Sequence, residues 1–215
     1  MKKVFLPLFA GCAFMAPMGI HGQQVEAPTH QIGDYWYFEV SREQGREWNS
    51  RIQSGRYGVV MAGDKLRFFQ FDNAQKTEVN DKPHLARMVT FVDETGVSYV
   101  KFPLDVGVKW DGTYRMMMNT SRPGKANWRH QTLQKGTVQT NVLTFTYHTT
   151  PAGSFEVFTI RRRDQIVGGG FNSTYYYSGI CKCIVDFVAR SSMTGMTKVE
   201  LIEYGRNPTL LSELK

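Results

Sequence analysis

The chain has 215 residues, 41% of them hydrophobic and 21% charged, which is enough apolar material for a continuous core and excludes a disordered chain. Its 26 basic side chains exceed the 19 acidic ones for a net charge of +7. Two of those lysines stand in a segment with the marks of an export signal, so the excess is weak ground for nucleic-acid binding.

Lys2 and Lys3 form a short basic region, and residues 4–18 carry no charge and are mostly apolar. That run suits a signal peptide and is short for a bilayer span. Ile20-His21-Gly22 before Gln23 is an acceptable cleavage context, which predicts a signal over residues 1–22 and one exported domain over residues 23–215. Residues 1–22 hold two lysines and no acid, so cleavage leaves 193 residues at +5. Phe9-Ala10-Gly11-Cys12 resembles a bacterial lipobox, with Cys12 as the candidate lipidation site, although Phe9 stands where leucine is usual and only eleven residues precede the cysteine. The expected location is the periplasm of a Gram-negative bacterium, with lipid anchoring as the alternative. No later apolar run approaches the roughly twenty residues of a spanning helix.

Beyond residue 33 the chain reads as strands joined by turns. Residues 34–41 open with Tyr35-Trp36-Tyr37-Phe38, a strong strand signal. Residues 51–61 and 65–71 form a predicted hairpin about Ala62-Gly63-Asp64. The polar span 72–84, which includes Pro83, reads as a long loop or an irregular edge. A second hairpin is expected from 85–92 and 97–102 around Asp93-Glu94-Thr95-Gly96. Residues 109–119 return to extended structure before the turn at Pro123-Gly124. Two strands are expected over 126–148 around Lys135-Gly136, and Thr150-Pro151-Ala152-Gly153 turns the chain into 155–160. Gly168-Gly169-Gly170 interrupts before 172–177, and 181–189 with 196–204 gives a last hairpin about Thr194-Gly195. Ten or eleven strands must curl, close or split. The fold class is all-β, a strongly curved antiparallel sheet or open barrel.

Candidate chemistry is sparse. Cys181 and Cys183 flank one lysine. In an extended strand such residues share a face about 6.6 Å apart, near the upper limit for a disulfide, so a bridge would be strained. Met116-Met117-Met118 places two thioethers on one face, and with both thiols they form a soft ligand set suited to Cu(I), against the plainer reading of core packing. His30, His84, His130 and His148 are scattered, and a thiol–imidazole enzyme would have to bring one of them to Cys181 or Cys183 in space. No G-x-S-x-G motif occurs, no catalytic set emerges, and no cofactor is implied. Within Arg161-Arg162-Arg163, strand geometry sends Arg162 to the face opposite the other two. The glycine run has neither the lysine nor the spacing of a phosphate loop. Tyr175-Tyr176-Tyr177 and the aromatics near Tyr35 either line a concave apolar cavity or form the core itself.

Several blocks resemble a known group. Phe102-Pro103-Leu104-Asp105-Val106-Gly107-Val108-Lys109-Trp110, Thr150-Pro151-Ala152-Gly153-Ser154-Phe155-Glu156-Val157-Phe158, Tyr175-Tyr176-Tyr177-Ser178 and Cys183-Ile184-Val185-Asp186-Phe187 are similar to blocks of exported bacterial β-proteins of a domain-of-unknown-function class, the TapB-like proteins among them. Gly33-Asp34-Tyr35-Trp36 is a weaker echo. Many relatives carry a proline and an acid where this chain has Gly179-Ile180-Cys181-Lys182. The resemblance implies a curved sheet like the half-barrels of envelope lipoprotein carriers, and it brings no active site with it. The function expected is that of a non-enzymatic envelope protein whose sheet binds an apolar ligand or an envelope protein. The alternatives are an assembly component acting by surface contact, or a thiol-dependent enzyme or soft-metal protein built on Cys181 and Cys183.

Overall fold

A computed structural model describes residues 24–44, 54–72, 75–79, 83–92, 97–121, 129–166, 169–191 and 195–207. The expected signal, Cys12 and the turn at Pro123-Gly124 lie outside them. The elements in chain order are β1 (Asp34–Gln44), β2 (Gly55–Ala62), β3 (Lys65–Asp72), β4 (Gln75–Val79), α1 (Pro83–Thr90), β5 (Lys109–Ser121), β6 (Arg129–Thr150), β7 (Gly153–Ile166), β8 (Gly169–Ser178), β9 (Cys183–Ser191) and β10 (Gly195–Arg206). The ten strands make one antiparallel sheet in the order β4-β3-β2-β1-β10-β9-β8-β7-β6-β5, not closed into a barrel. Two meanders therefore meet where β1 pairs with β10, from Asp34 opposite Arg206 to Gln44 opposite Gly195.

Between the meanders the chain must travel from one edge of the sheet to the other, and it does so across one face. The second predicted hairpin is overturned here. Residues 83–90 form α1, the expected turn at residues 93–96 lies outside the described residues, and among the described residues the expected pairing is reduced to an isolated bridge, Val92 to Ser98, and a hydrogen bond from Tyr99 N to Phe91 O. The reason is legible: Leu85, Met88 and Val89 stand at i, i+3 and i+4, so a helix turns all three to one side, and all three are fully buried. Pro83 is suited to the first helical position, where its missing N–H costs no hydrogen bond. The following stretch is irregular, contributing Phe91, Tyr99, Val100 and Leu104 to the core. They pack on Trp36, Phe38, Val40, Val59, Ile160, Tyr175, Tyr177, Phe187, Val199 and Leu201, which strand alternation turns to the same side. This is the covered face; the other is the open face.

The predicted break at Lys135-Gly136 is also absent. β6 runs unbroken for 22 residues, and Gly136 lies opposite Tyr114 on β5. A Cβ at Gly136 would sit 2.3 Å from Tyr114 Cζ, so the glycine is a seat for the ring, not a turn. The first hairpin is as expected, with Gly63 at a φ of 69° in its turn. The span expected as a loop or irregular edge contains the short edge strand β4, and Gly169 and Gly170 of the glycine run belong to β8.

The sheet is strongly curved at one end. On a flat sheet β6 and β9 would lie three strand spacings, about 14 Å, apart. Yet His148 of β6 donates from Nε2 to Asp186 Oδ2 of β9 at 2.8 Å. Ala152 N donates to Leu201 O at 3.3 Å, and the rings of Phe155 and Tyr204 lie 5.7 Å apart. The β6–β7 tip curls across the end of the sheet onto β8–β10.

Candidate functional site

The covered face is where a curved sheet would hold an apolar ligand, and in this protein its own chain occupies it. Of the three tyrosines expected to line a cavity or form the core, Tyr175 and Tyr177 point inward and Tyr176 points outward. Tyr175 meets Tyr99 at 5.1 Å and Phe187 at 4.9 Å, while Tyr177 meets Phe91 at 5.3 Å and Phe102 at 5.4 Å. Burial pushes both phenols upward, so they stay neutral packing groups.

Arg162 faces inward as the alternation requires and is only 3% exposed. It donates from Nε and Nη2 to Asp164 at 2.7 to 3.1 Å, and its Cζ lies 4.2 Å from the Tyr99 ring centre. Burial opposes its charge, but the Asp164 hydrogen bonds outweigh that and its pKa is raised. Arg87 of α1 approaches the same ring, with Cζ at 5.3 Å, and donates to the Tyr99 hydroxyl at 3.1 Å. Two guanidinium groups thus grip Tyr99, and they fix the crossing segment to the sheet.

At the N-terminal side, His30 Nε2 donates to Val89 O at 3.1 Å and its ring meets Trp36 edge-on at 5.0 Å. Burial lowers its pKa, partly offset by the Val89 carbonyl. Asp34 anchors the start of β1: burial disfavours its charge, but the bonds from Arg206 and from Gln31 N hold its carboxyl below the usual range.

Cys181 and Cys183 are free thiols, both buried. They sit where the β8–β9 turn enters β9, and not along an extended strand. Lys182 between them has a φ of 57°, which departs from the extended geometry assumed for a Cys-x-Cys pair. The Cys181 carbonyl accepts from the Trp36 indole at 2.8 Å. Burial, reinforced by Cys181, pushes the Cys183 thiol up, the opposite of what a nucleophilic thiolate needs. The side chains of Met116, Met117, Met118, His84 and His130 lie outside the described residues, and the structure brings neither His30 nor His148 to either thiol. Among the described residues no cluster of three or more His, Cys, Asp or Glu side chains could hold a metal ion.

Two features of the outer surface were missed by the sequence reading. The first is the His148–Asp186 pair. Asp186 is 4% exposed, burial raises its pKa against the lowering effect of His148, and Tyr176 stacks on the imidazole at 3.9 Å and 8°. Lys198 and Glu200 pair beside it at 2.7 Å. No sequence motif joins residues 38 apart on non-adjacent strands. The second is a shallow groove of about 370 Å³ lined by Lys109, Asp111, Gln139, Thr140, Asn141, Arg161 and Arg163. Period-two alternation had already put Arg161 and Arg163 on one side; the pairing of β5 with β6 and β6 with β7 supplied the rest.

No family model matches the chain, and no curated protein does. Two solved structures overlap it. A protein of Bacteroides fragilis, predicted to be exported and described as having a YmcC-like fold, is 11% identical, with a TM-score of 0.36 over 86% of this chain and 100% of its own. A predicted lipoprotein of Parabacteroides distasonis is 10% identical, with a TM-score of 0.37 over 85% of this chain and 100% of its own. Neither bears the TapB-like or lipoprotein-carrier designation, and it is the strand pairing itself that establishes the all-β class.

Proposed function

We propose that the protein is an exported, non-enzymatic envelope protein with one β domain that works by contact of its open sheet face with an envelope partner. The observation that carries this reading is the filled covered face. α1 and the crossing segment occupy the surface on which a curved sheet would receive an apolar ligand, with Leu85, Met88, Val89 and Leu104 at zero exposure. The open face carries polar side chains together with a ring cluster of Tyr35, Tyr37 and Phe71. Export rests on Lys2-Lys3 and the uncharged run 4–18; the structural features add that no helix among the described residues is long and apolar enough to cross a membrane.

Native mass spectrometry of the protein released gently from its own envelope tests the reading. The expected spectrum shows a chain shortened by the signal, carrying a macromolecular partner and no stoichiometric lipid in the fold. A stoichiometric apolar ligand that persists after mild detergent exchange would overturn it. Acyl mass on Cys12 would place the same contact surface on a lipid anchor.

A further inference from the structure

We propose that the groove across β5, β6 and β7 is an oxyanion site, taking a phosphate or carboxylate group between Lys109 on one rim and Arg161 and Arg163 on the other. The proposal deepens the contact reading and rests on it for the face involved.

The strand register builds the site. Lys109 lies opposite Asn141 and Asn141 opposite Arg161; one row along, Asp111 lies opposite Gln139 and Gln139 opposite Arg163. Alternation sends all six to the open face. The two outer strands are two spacings apart, about 9.6 Å, so Lys109 and the arginines face one another across a floor made by two carboxamides. Arg161 and Arg163 are separated by about 6.7 Å along β7, within reach of a single multi-oxygen group.

The chemistry of the lining is that of donors. Lys109, Arg161 and Arg163 make no ion pair among the described residues, and Asp111 is the single acid, which leaves the lining at +2. Like charges gathered in a shallow groove repel, and a bound anion relieves that repulsion. Guanidinium forks match the paired oxygens of phosphate and carboxylate. No aromatic or large apolar side chain lines the groove, which argues against base stacking and against insertion into a bilayer.

The test is titration of the 15N-labelled protein with inorganic phosphate, and separately with acetate, at constant ionic strength. Saturable amide shifts confined to residues 109–111, 139–141 and 161–163 are expected. R161A/R163A should weaken binding at least tenfold, D111N should tighten it, and R56A, on β2 of the same face and far from the groove, should leave it unchanged. Shifts that do not saturate, that spread over all basic positions, or that persist in R161A/R163A overturn the site. Vesicles of phosphatidylglycerol and of phosphatidylcholine identify the source: retention by the former alone, lost in R161A/R163A, assigns a lipid headgroup, whereas phosphate saturation without vesicle binding assigns a soluble ligand. If phosphate fails to bind and R161A/R163A keeps its native partner, the oxyanion site falls and the contact reading stands.

Discussion

If α1 is an integral cover of the sheet, removing its central anchor must both destabilise the fold and expose apolar surface. Leu85→Ala deletes three buried carbons from a side chain of zero exposure. At about 0.8 kcal/mol per methylene the transfer loss is about 2.4 kcal/mol. A cavity that collapses only partly adds about 1 kcal/mol at roughly 24 cal/mol per Å³, for a total of about 3 to 4 kcal/mol. In a domain of this size each kcal/mol moves the midpoint by about 2 to 4 °C, so calorimetry should register a fall of about 6 to 16 °C. Thr90→Ala at the exposed end of the same helix should change stability by about 0.5 kcal/mol or less. A dye that fluoresces on apolar surface should report increased binding to L85A below its midpoint and not to T90A. A fall under about 2 °C with no dye signal would refute the reasoning, because α1 would then be a loosely held appendage and the covered face available to a ligand.

Gly136→Ala should cost about 1 to 3 kcal/mol by denaturant unfolding, since its Cβ would strike the Tyr114 ring, and the double variant G136A/Y114A should recover part of that loss. His148→Ala strands the buried Asp186 carboxylate and raises its pKa further. Stability linked to a raised carboxyl is present below the ordinary value of 3.8 and lost as pH rises through the folded value, so H148A should be most destabilised at neutral pH and nearer wild type at pH 4; D186N should flatten that dependence. His30 has the opposite sign of linkage, its folded pKa lying below 6.5: its contribution is complete above 6.5 and lost as pH falls, and H30Q should abolish this part of the acid limb in thermal melts. Cys181 and Cys183 should resist an aromatic disulfide reagent at pH 8 until denaturant is added, and prompt native-state labelling would revive a thiol-based activity.

The sheet was readable because its signals are local. Tyr35-Trp36-Tyr37-Phe38 and Lys65-Leu66-Arg67-Phe68 declare strands by composition and alternation, and the inward turn of Arg162 follows from a period of two alone. Where the reading failed, two periodicities or two uses of one residue competed. Leu85, Met88 and Val89 carry a helical spacing inside a span whose β-branched and apolar content also suits a strand, and eight residues are too few for periodicity to decide. Gly136 is a turn residue by propensity and a ring seat by virtue of Tyr114, more than twenty residues earlier. The groove was half legible: the arginines shared a face by alternation, but Lys109 and the two amides joined them only through register. The His148–Asp186 contact depends on curvature, which no local pattern encodes.

That curvature has a location. Three register shifts interrupt the ladders, each leaving one extra residue on one strand: Leu143 on β6, Val185 on β9 and Ile202 on β10. The strand pairings bring Thr144, Thr159, Tyr176, Asp186, Glu200 and Glu39 into one continuous row, so the irregularities lie in or close to it on three separate strands. A bulge bends its strand and increases local twist, and bulges aligned across neighbouring strands bend the sheet along a line. On one side of that line the β6–β7 tip rolls over until His148 meets Asp186 and Phe155 meets Tyr204. On the other side the ladders run in regular register, and there Gln139 and Asn141 stay level with Lys109, Arg161 and Arg163. β6 thus serves both halves of the molecule: its early part supplies the floor of a flat polar groove, and its last residues, beyond the bulge, close the end of the fold. A substitution that straightens the bulge should therefore release the His148 contact while leaving the groove register intact, which separates the architecture of the closed end from the chemistry of the open face.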